Sequence, residues 1–331
     1  MPITCPRCES ENAPSVQYCD CCGYEFVSET LTAPAFAARD VDGVLEHESI
    51  VNSGNFSEAE LWVELATFLN ANMEDFEAAD VQNIEETKRL LNGVVELDLS
   101  DSELKELPEC MALLTHIQSL DLSGNKFKTV PRVLRAMTHL QTLELWDNKL
   151  KDVPTWFSEL NHLTELDLSD NKFKVFPEVI CQMTQLKVLD LSTNTLNEIP
   201  DEIGHLFRLE DLDLHENELT SLPETLPKLK AVCQLDVSWN ELNSLPSGFG
   251  TMTNIVSLDL DHNNLTSLPV ELEDWEQVNH FSMRKNPITP NKLPSHLSKV
   301  NGTDRKGLST IVWLLFIGFS LIPFLFAFLS S

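Results

Sequence analysis

Positive charge is scarce in this sequence. Its 331 residues hold 23 lysines and arginines against 52 aspartates and glutamates, a net charge of −29 at pH 7. A chain this acidic repels phosphates rather than neutralising them, which excludes nucleic acid as a partner. For the same reason, surface charge alone does not recruit the chain to an anionic membrane. Solubility is what such a bias supplies in general. Catalytic signatures are missing too. There is no Ser/His/Asp cluster, no phosphate-binding glycine loop and no HExxH. The nine histidines fall mostly on turns and repeat faces, so no general base is expected among them. The chain is expected to be no enzyme and to take no small-molecule substrate. The first residues, MPITCPRCES, carry no apolar run of signal-peptide length, so no secretory leader is expected there.

One long apolar run is present. From Leu308 to Leu329 the sequence LSTIVWLLFIGFSLIPFLFAFL holds 22 residues without a charge. As a helix it spans roughly 33 Å, enough for a hydrocarbon core of about 30 Å. Pro323 is tolerated better in a membrane span than in water. A buried core helix is the competing reading; length and apolarity favour the span. Lys299, Arg305 and Lys306 precede it and only two serines follow. The positive-inside rule then predicts a single-pass membrane protein with its N-terminal bulk in the cytoplasm. The layout resembles that of tail-anchored proteins.

Five of the eight cysteines cluster at the start, as CPRC and CDCCGY. Cys5, Cys8, Cys19 and Cys22 form a C-x2-C-x10-C-x2-C array. Each pair is a knuckle whose two thiolates face one metal, and two knuckles complete a tetrahedron suited to zinc. Four sulfur ligands leave no open position, so one structural Zn2+ is expected, and it should supply most of the folding energy of so small a module. A disulfide pair is the alternative that cytoplasmic placement disfavours. Iron is the other, since the knuckles resemble those of rubredoxin. Their shorter separation is more similar to a short bacterial zinc ribbon. Cys21 could replace Cys19 or Cys22 as a ligand, or stay free. Cys110, Cys181 and Cys233 read as small buried hydrophobes.

A period of 23 residues governs the middle of the chain. Its first leucines are Leu97, Leu120, Leu143, Leu166, Leu189, Leu212, Leu235 and Leu258, with Phe281 in the ninth place. Five residues on stands Asn125, Asn148, Asn171, Asn194, Asn217, Asn240, Asn263 or Asn286, with Ser102 in the first unit. Eleven residues on stands Pro108 and its successors as far as Pro269. The alternating LxL predicts one short strand per unit, and stacked units share a core that no single unit could close. The unit, LxLxxNxLxxLPxxLxxLxxL, resembles the intracellular 23-residue LP form of the leucine-rich repeat. The resemblance implies an α/β solenoid, or horseshoe, and a scaffold that binds proteins. It also implies that each asparagine bonds backbone groups of adjacent turns inside the core, and that a short helix or turn follows each proline on the convex side.

The expected organisation is a zinc ribbon (1–27), an acidic flexible linker (28–56), a helical N-terminal cap (57–93), nine repeats with a C-terminal cap (94–298), a basic juxtamembrane linker (299–307) and a transmembrane helix (308–329). In the first cap, SEAELWVELATFL has a capping serine and an apolar face of Leu61, Leu65, Phe68 and Leu69, and VQNIEETKRLLNG reads as a second helix ended by Gly93. NPITPNKLP (286–294) breaks the repeat and reads as the second cap.

Between the two strand leucines stand Asp98, Asp121, Glu144, Asp167, Asp190, Asp213, Asp236 and Asp259. Stacked at roughly 4.8 Å, such charges repel, so they are expected on the concave face for binding rather than stability. The simpler alternative is that the position needs a polar residue because it faces water. Trp146, His215 and Trp239 join the ladder, the tryptophans as anchors for a protein partner with a basic surface. In the ninth unit the face turns basic with Arg284 and Lys285. A second feature is a basic edge over units one to four, formed by Lys126, Lys128, Lys149, Lys151, Lys172 and Lys174, with Lys105 at its start. It reads either as a solvated edge balancing nearby acids or as a contact for an acidic partner or lipid headgroups.

Overall fold

The computed structural model describes residues 3–4, 11–12, 57–72, 84–269, 272, 275 and 277–288. The expected zinc ligands Cys5, Cys8, Cys19 and Cys22, the linker 28–56, the juxtamembrane residues 299–307 and the apolar run 308–329 lie outside the described residues. Among the described residues no helix is long and apolar enough to cross a membrane.

Two short strands, β1 (Ile3–Thr4) and β2 (Glu11–Asn12), pair antiparallel. Cys5 and Cys8 fall between them in sequence. The helices α1 (Glu58–Asn72) and α2 (Ile84–Leu91) come next. Helix α1 begins with a capping box. Ser57 Oγ accepts the Glu60 N–H at 3.3 Å, and Glu60 Oε2 accepts the Ser57 N–H at 2.7 Å. Leu61, Leu65 and Leu69 are buried as the pattern predicts, and so are Trp62 and Ala66. Helix α1 packs on α2 and on the first convex turn, which closes the open end of the repeat core. Helix α2 ends at Leu91, just ahead of Gly93 as the pattern predicts.

Nine strands form one parallel sheet in chain order: β3 (Glu96–Asp98), β4 (Ser119–Asp121), β5 (Thr142–Glu144), β6 (Glu165–Asp167), β7 (Val188–Asp190), β8 (Asp211–Asp213), β9 (Gln234–Asp236), β10 (Ser257–Asp259) and β11 (His280–Ser282). Each predicted leucine is the middle residue of its strand and sits opposite the next one, Leu97 against Leu120 and so on to Leu258 against Phe281. The register never slips, so residues 23 apart form straight columns. After each of the first five prolines a 3-10 turn crosses the convex side, from Glu109–Leu113 to Asp201–His205; two shorter ones follow at Leu226–Lys228 and Phe249–Thr251. These prolines sit extended just ahead of the turn, where a missing N–H does no harm. Leucine, valine, phenylalanine and methionine fill one continuous core from Leu61 to Ile288. Cys110 and Cys181 lie in it, and burial pushes both thiols up to about 12, so they stay protonated. Cys233 departs from expectation: it is half-buried, with Sγ near the Glu210 carbonyl.

The asparagines knit neighbouring units together. Asn171 shows the pattern: its Oδ1 accepts the Leu150 N–H, and its Nδ2 donates to Leu145, Leu168 and Ser169 carbonyls. Asn125, Asn148, Asn194, Asn217, Asn240 and Asn263 do the same. Asn286 continues the ladder into the ninth unit. Of the expected second cap, 286–294, only residues up to 288 are described, with Ile288 buried.

The residue before each ladder position has a left-handed backbone. Asp101, Gly124, Asp147, Asp170, Thr193, Glu216, Trp239, His262 and Lys285 all have φ between 46° and 62°. Only one is glycine. A β-branched residue is the least suited to this region, where an L side chain costs roughly 1–2 kcal/mol. Thr193→Gly should therefore stabilise the domain by about 1 kcal/mol, the strain relieved exceeding the extra freedom of the unfolded chain. Thermal or denaturant unfolding of the two proteins checks this; a less stable variant would mean that the Thr193 side chain supports the turn.

A concave acidic face as candidate binding site

The carboxylates between the strand leucines form a column along the concave face, each in register with the next. Their role is partly structural, which corrects the expectation that they serve binding alone. Oδ1 of Asp98 accepts the N–H two residues on, that of Ser100, at 2.9 Å. Asp121, Asp167, Asp190, Asp213, Asp236 and Asp259 repeat this contact with Ser123, Ser169, Ser192, His215, Ser238 and Asp261. The strand ends there, and the aspartate supplies the acceptor for a donor leaving the ladder. Glu144, one methylene longer, departs from the pattern: its Oε2 is buried without a hydrogen-bond partner.

Burial and mutual repulsion load the column with charge strain. Burial first, and then Asp121 and Asp167, push Glu144 up to about 7. Burial and Asp190 push Asp167 to about 7, and burial and Asp213 do the same to Asp190. Asp211, at the start of β8, is raised to about 7 by burial and by Asp190 and Asp236. Asp121 and Asp213 are also raised, again chiefly by burial. These are carboxylates short of cations.

The ladder's one internal cation is His215. Its Nδ1 lies 2.8 Å from Asp213 Oδ1. Burial opposes its charge, but the hydrogen bond and the charges of Asp213, Asp236 and Asp190 outweigh burial and raise it to about 9. It is therefore protonated at neutral pH. Oxygens of Asp213 and Asp236 and a ring nitrogen of His215 lie within 4.8 Å of one another, so one positive charge on His215 offsets only part of the two carboxylates' charge.

The ends of the column differ. Asp98 is exposed, whereas Asp259 is buried at 5 % exposure and is removed from the partner-facing set. Beside it, Asp261 receives the Ser282 hydroxyl and both the backbone and guanidinium of Arg284. The basic turn of the ninth unit is therefore half neutralised, and Lys285 is left exposed. Trp239 is 49 % exposed and stacks flat on His262, ring centroids 3.5 Å apart. With Asp261, Arg284 and Lys285 this pair lines a shallow hollow at the C-terminal end of the face. Trp146 is half-buried and stands apart from that hollow. Sequence reasoning gave both tryptophans one role; only Trp239 presents a broad open surface. The Trp239–His262 stack was missed, although both residues hold the same place in consecutive units.

The lysines of the expected basic edge hold equivalent places in successive units. Lys128, Lys149, Lys151, Lys172 and Lys174 are exposed, while Lys126 pairs with Glu103 at 2.8 Å.

Comparison with known proteins agrees with the fold. Residues 177–284 match the family described as leucine-rich repeat region, 138–196 match leucine rich repeat, and 114–129 match a further leucine rich repeat family. No curated protein matches. Among solved structures, the chain is similar to the LRR ectodomain of the plant membrane receptor kinase GASSHO1/SCHENGEN3 from Arabidopsis thaliana, solved in complex with CASPARIAN STRIP INTEGRITY FACTOR 2. Identity is 30%, the TM-score 0.56, and coverage 64% of this chain and 26% of that one. It is similar in fold to the functional domain of InlJ from Listeria monocytogenes, at 23% identity and TM-score 0.52, covering 65% of this chain and 49% of that one. An LRR protein of Leptospira interrogans matches at 27% identity and TM-score 0.49, over 66% of this chain and 68% of that one. The chain thus spans about a quarter of the plant ectodomain and about half of the Listeria domain. Residues 114–129 and 138–284 of the nine-rung solenoid are thus recognised as leucine-rich repeats.

Proposed function

We propose that the chain is a membrane-tethered interaction scaffold whose concave face binds a basic protein partner. The observation that carries this is the strained column: Glu144, Asp167 and Asp190, in register along the face, and Asp211 beside them are held near 7 by burial and like charge, so lysines or arginines brought alongside relieve repulsion the fold already bears. Trp239, exposed beside the column, supplies an aromatic anchor. The plant neighbour, solved with a bound partner, supports a protein-binding use of such a solenoid. The run 308–329 would anchor the scaffold, and residues 299–307, at most about 30 Å long, would hold it near the bilayer. Cys5, Cys8, Cys19 and Cys22 would hold one structural zinc ion; four thiolates fill a tetrahedral zinc shell and leave no position for substrate.

The test keeps the turn contacts and removes the charge. In Asp167→Asn/Asp190→Asn/Asp213→Asn the amide oxygen still accepts the N–H two residues on. The probe is a lysine-rich peptide, titrated calorimetrically at low and high salt. Wild type should bind with a clear salt dependence, and the triple variant at least about tenfold more weakly, each lost close charge contact being worth about 1 kcal/mol or more. Equal affinity in the two proteins would remove the column from the binding mechanism.

A further inference from the structure

We infer that the lysine edge of units one to four faces an anionic lipid surface and sets how the tethered solenoid lies on it. The inference rests on the proposed tether and leaves the concave face free for its partner.

The edge is built by the repeat. In each unit one inward residue, the partly buried Leu104 or the buried Phe127, Leu150 or Phe173, is flanked on both sides by outward side chains. Residues on either side of an inward side chain point away from the core, so constant register stacks them in two parallel columns. Over the segments 103–106, 126–129, 149–152 and 172–175 these columns carry seven lysines against Glu103, Glu106 and Asp152, a local excess of four positive charges. The same segments in units five to eight, 195–198, 218–221, 241–244 and 264–267, carry no lysine and three glutamates. In a chain of net charge −29, this is a concentrated exception.

The lysines are not spent on the protein. Of the seven, only Lys126 has an ion pair among the described residues. The others are exposed. Next to Lys174 stands Val175, at 63 % the most exposed large apolar side chain among the described residues. Ammonium groups in rows with an apolar side chain at their end suit a headgroup layer, which offers phosphates and carboxylates with acyl chains beneath. Net charge does not forbid this contact. The Debye length is about 8 Å at physiological salt, so a surface feels mainly the charges on the edge that touches it. Such an edge does not recruit the chain from solution; it orients one that its own apolar run already holds at the bilayer.

The experiment uses the full chain with phosphatidylcholine vesicles, with and without phosphatidylserine. Flotation reports association, and a water-soluble acetylating reagent read by mass spectrometry reports lysine access. Association with both vesicles is expected. Lys149, Lys151, Lys172 and Lys174 should be acetylated several-fold less on the phosphatidylserine vesicles, with Lys228 and Lys285 unchanged. High salt should restore labelling, and Lys151→Glu/Lys174→Glu should expose Lys149 and Lys172. Flotation with both vesicles but identical labelling overturns the inference and leaves the tether standing; flotation with neither overturns both. Protection by soluble polyglutamate as strong as by phosphatidylserine would reassign the edge to an acidic protein and overturn the lipid reading.

Discussion

The solenoid should be harder to melt at pH 5.5 than at pH 8. Glu144, Asp167, Asp190 and Asp211 have folded values near 7, well above the ordinary carboxylate range, chiefly because they are buried and then because they face one another. Between about pH 4 and 7 the folded chain therefore binds protons that the unfolded chain releases, and stability falls as pH rises through that window. His215 acts in the same sense. With its folded value raised to about 9, its contribution is complete below the unfolded value near 6.5 and is lost as pH climbs through 9. Glu60 and Glu103, lowered by Ser57 and Lys126 respectively, oppose this trend, but both are solvent-exposed and weigh little. Each of these four carboxylates is partly wet and is relieved when its neighbour takes a proton, so about 1 kcal/mol apiece survives, or about 4 kcal/mol in all. For a domain of this size that is roughly 8–16 °C in melting temperature. Scanning calorimetry at the two pH values measures it. A higher midpoint at pH 8 would show that the column bears no net repulsion for a cationic partner to relieve. The same protons compete with such a partner, so binding of a lysine-rich peptide should weaken at pH 5.5 as the fold strengthens.

The repeat was legible in the sequence to the residue. A fixed spacing of leucine, asparagine and proline placed the middle residue of every strand, because one geometry solves one packing problem nine times. The asparagine ladder followed from the family pattern, and the capping box from Ser57 and Glu60. The left-handed residue before each ladder position did not. Gly124 hints at it, and Asp101, Asp147 and Asp170 tolerate it, but Thr193 and Trp239 have no local reason to adopt it. Their conformation is imposed by the next unit, whose carbonyls at His215 and Asp261 receive the Thr193 and Trp239 N–H groups. The second use of the aspartates was hidden for a similar reason. An aspartate two residues before a serine is common, and only the strand ending between them turns the pair into donor and acceptor. The burial of Asp259 depends on what the ninth unit places over it, which a period cannot foretell.

Asn171→Leu should cost more than any change on the surface. The side chain is 8 % exposed and close to leucine in size, so the loss is in hydrogen bonds rather than volume. The Leu150 N–H loses its acceptor, Asn171 Oδ1, and the Leu145 carbonyl is left with the amide of Asn148. A buried donor without a partner costs about 1–3 kcal/mol, and the remaining bonds of the amide about 1 kcal/mol each, giving about 3–5 kcal/mol. That corresponds to roughly 10–15 °C in melting temperature. Position adds a second effect. Each rung touches only its neighbours, so a defect at the fourth of nine weakens the coupling between the two halves, and unfolding should broaden or split into two steps. Asn286→Leu, at the far end, removes the same kind of bonds from the last rung and should only fray it, with a smaller loss and a single transition. Equal losses at the two sites would mean that the asparagines act one by one. Unequal ones would mean that the ladder carries cooperativity along the arc, and a partner spanning the concave face needs that cooperativity to meet Asp121 and Trp239 on one rigid surface.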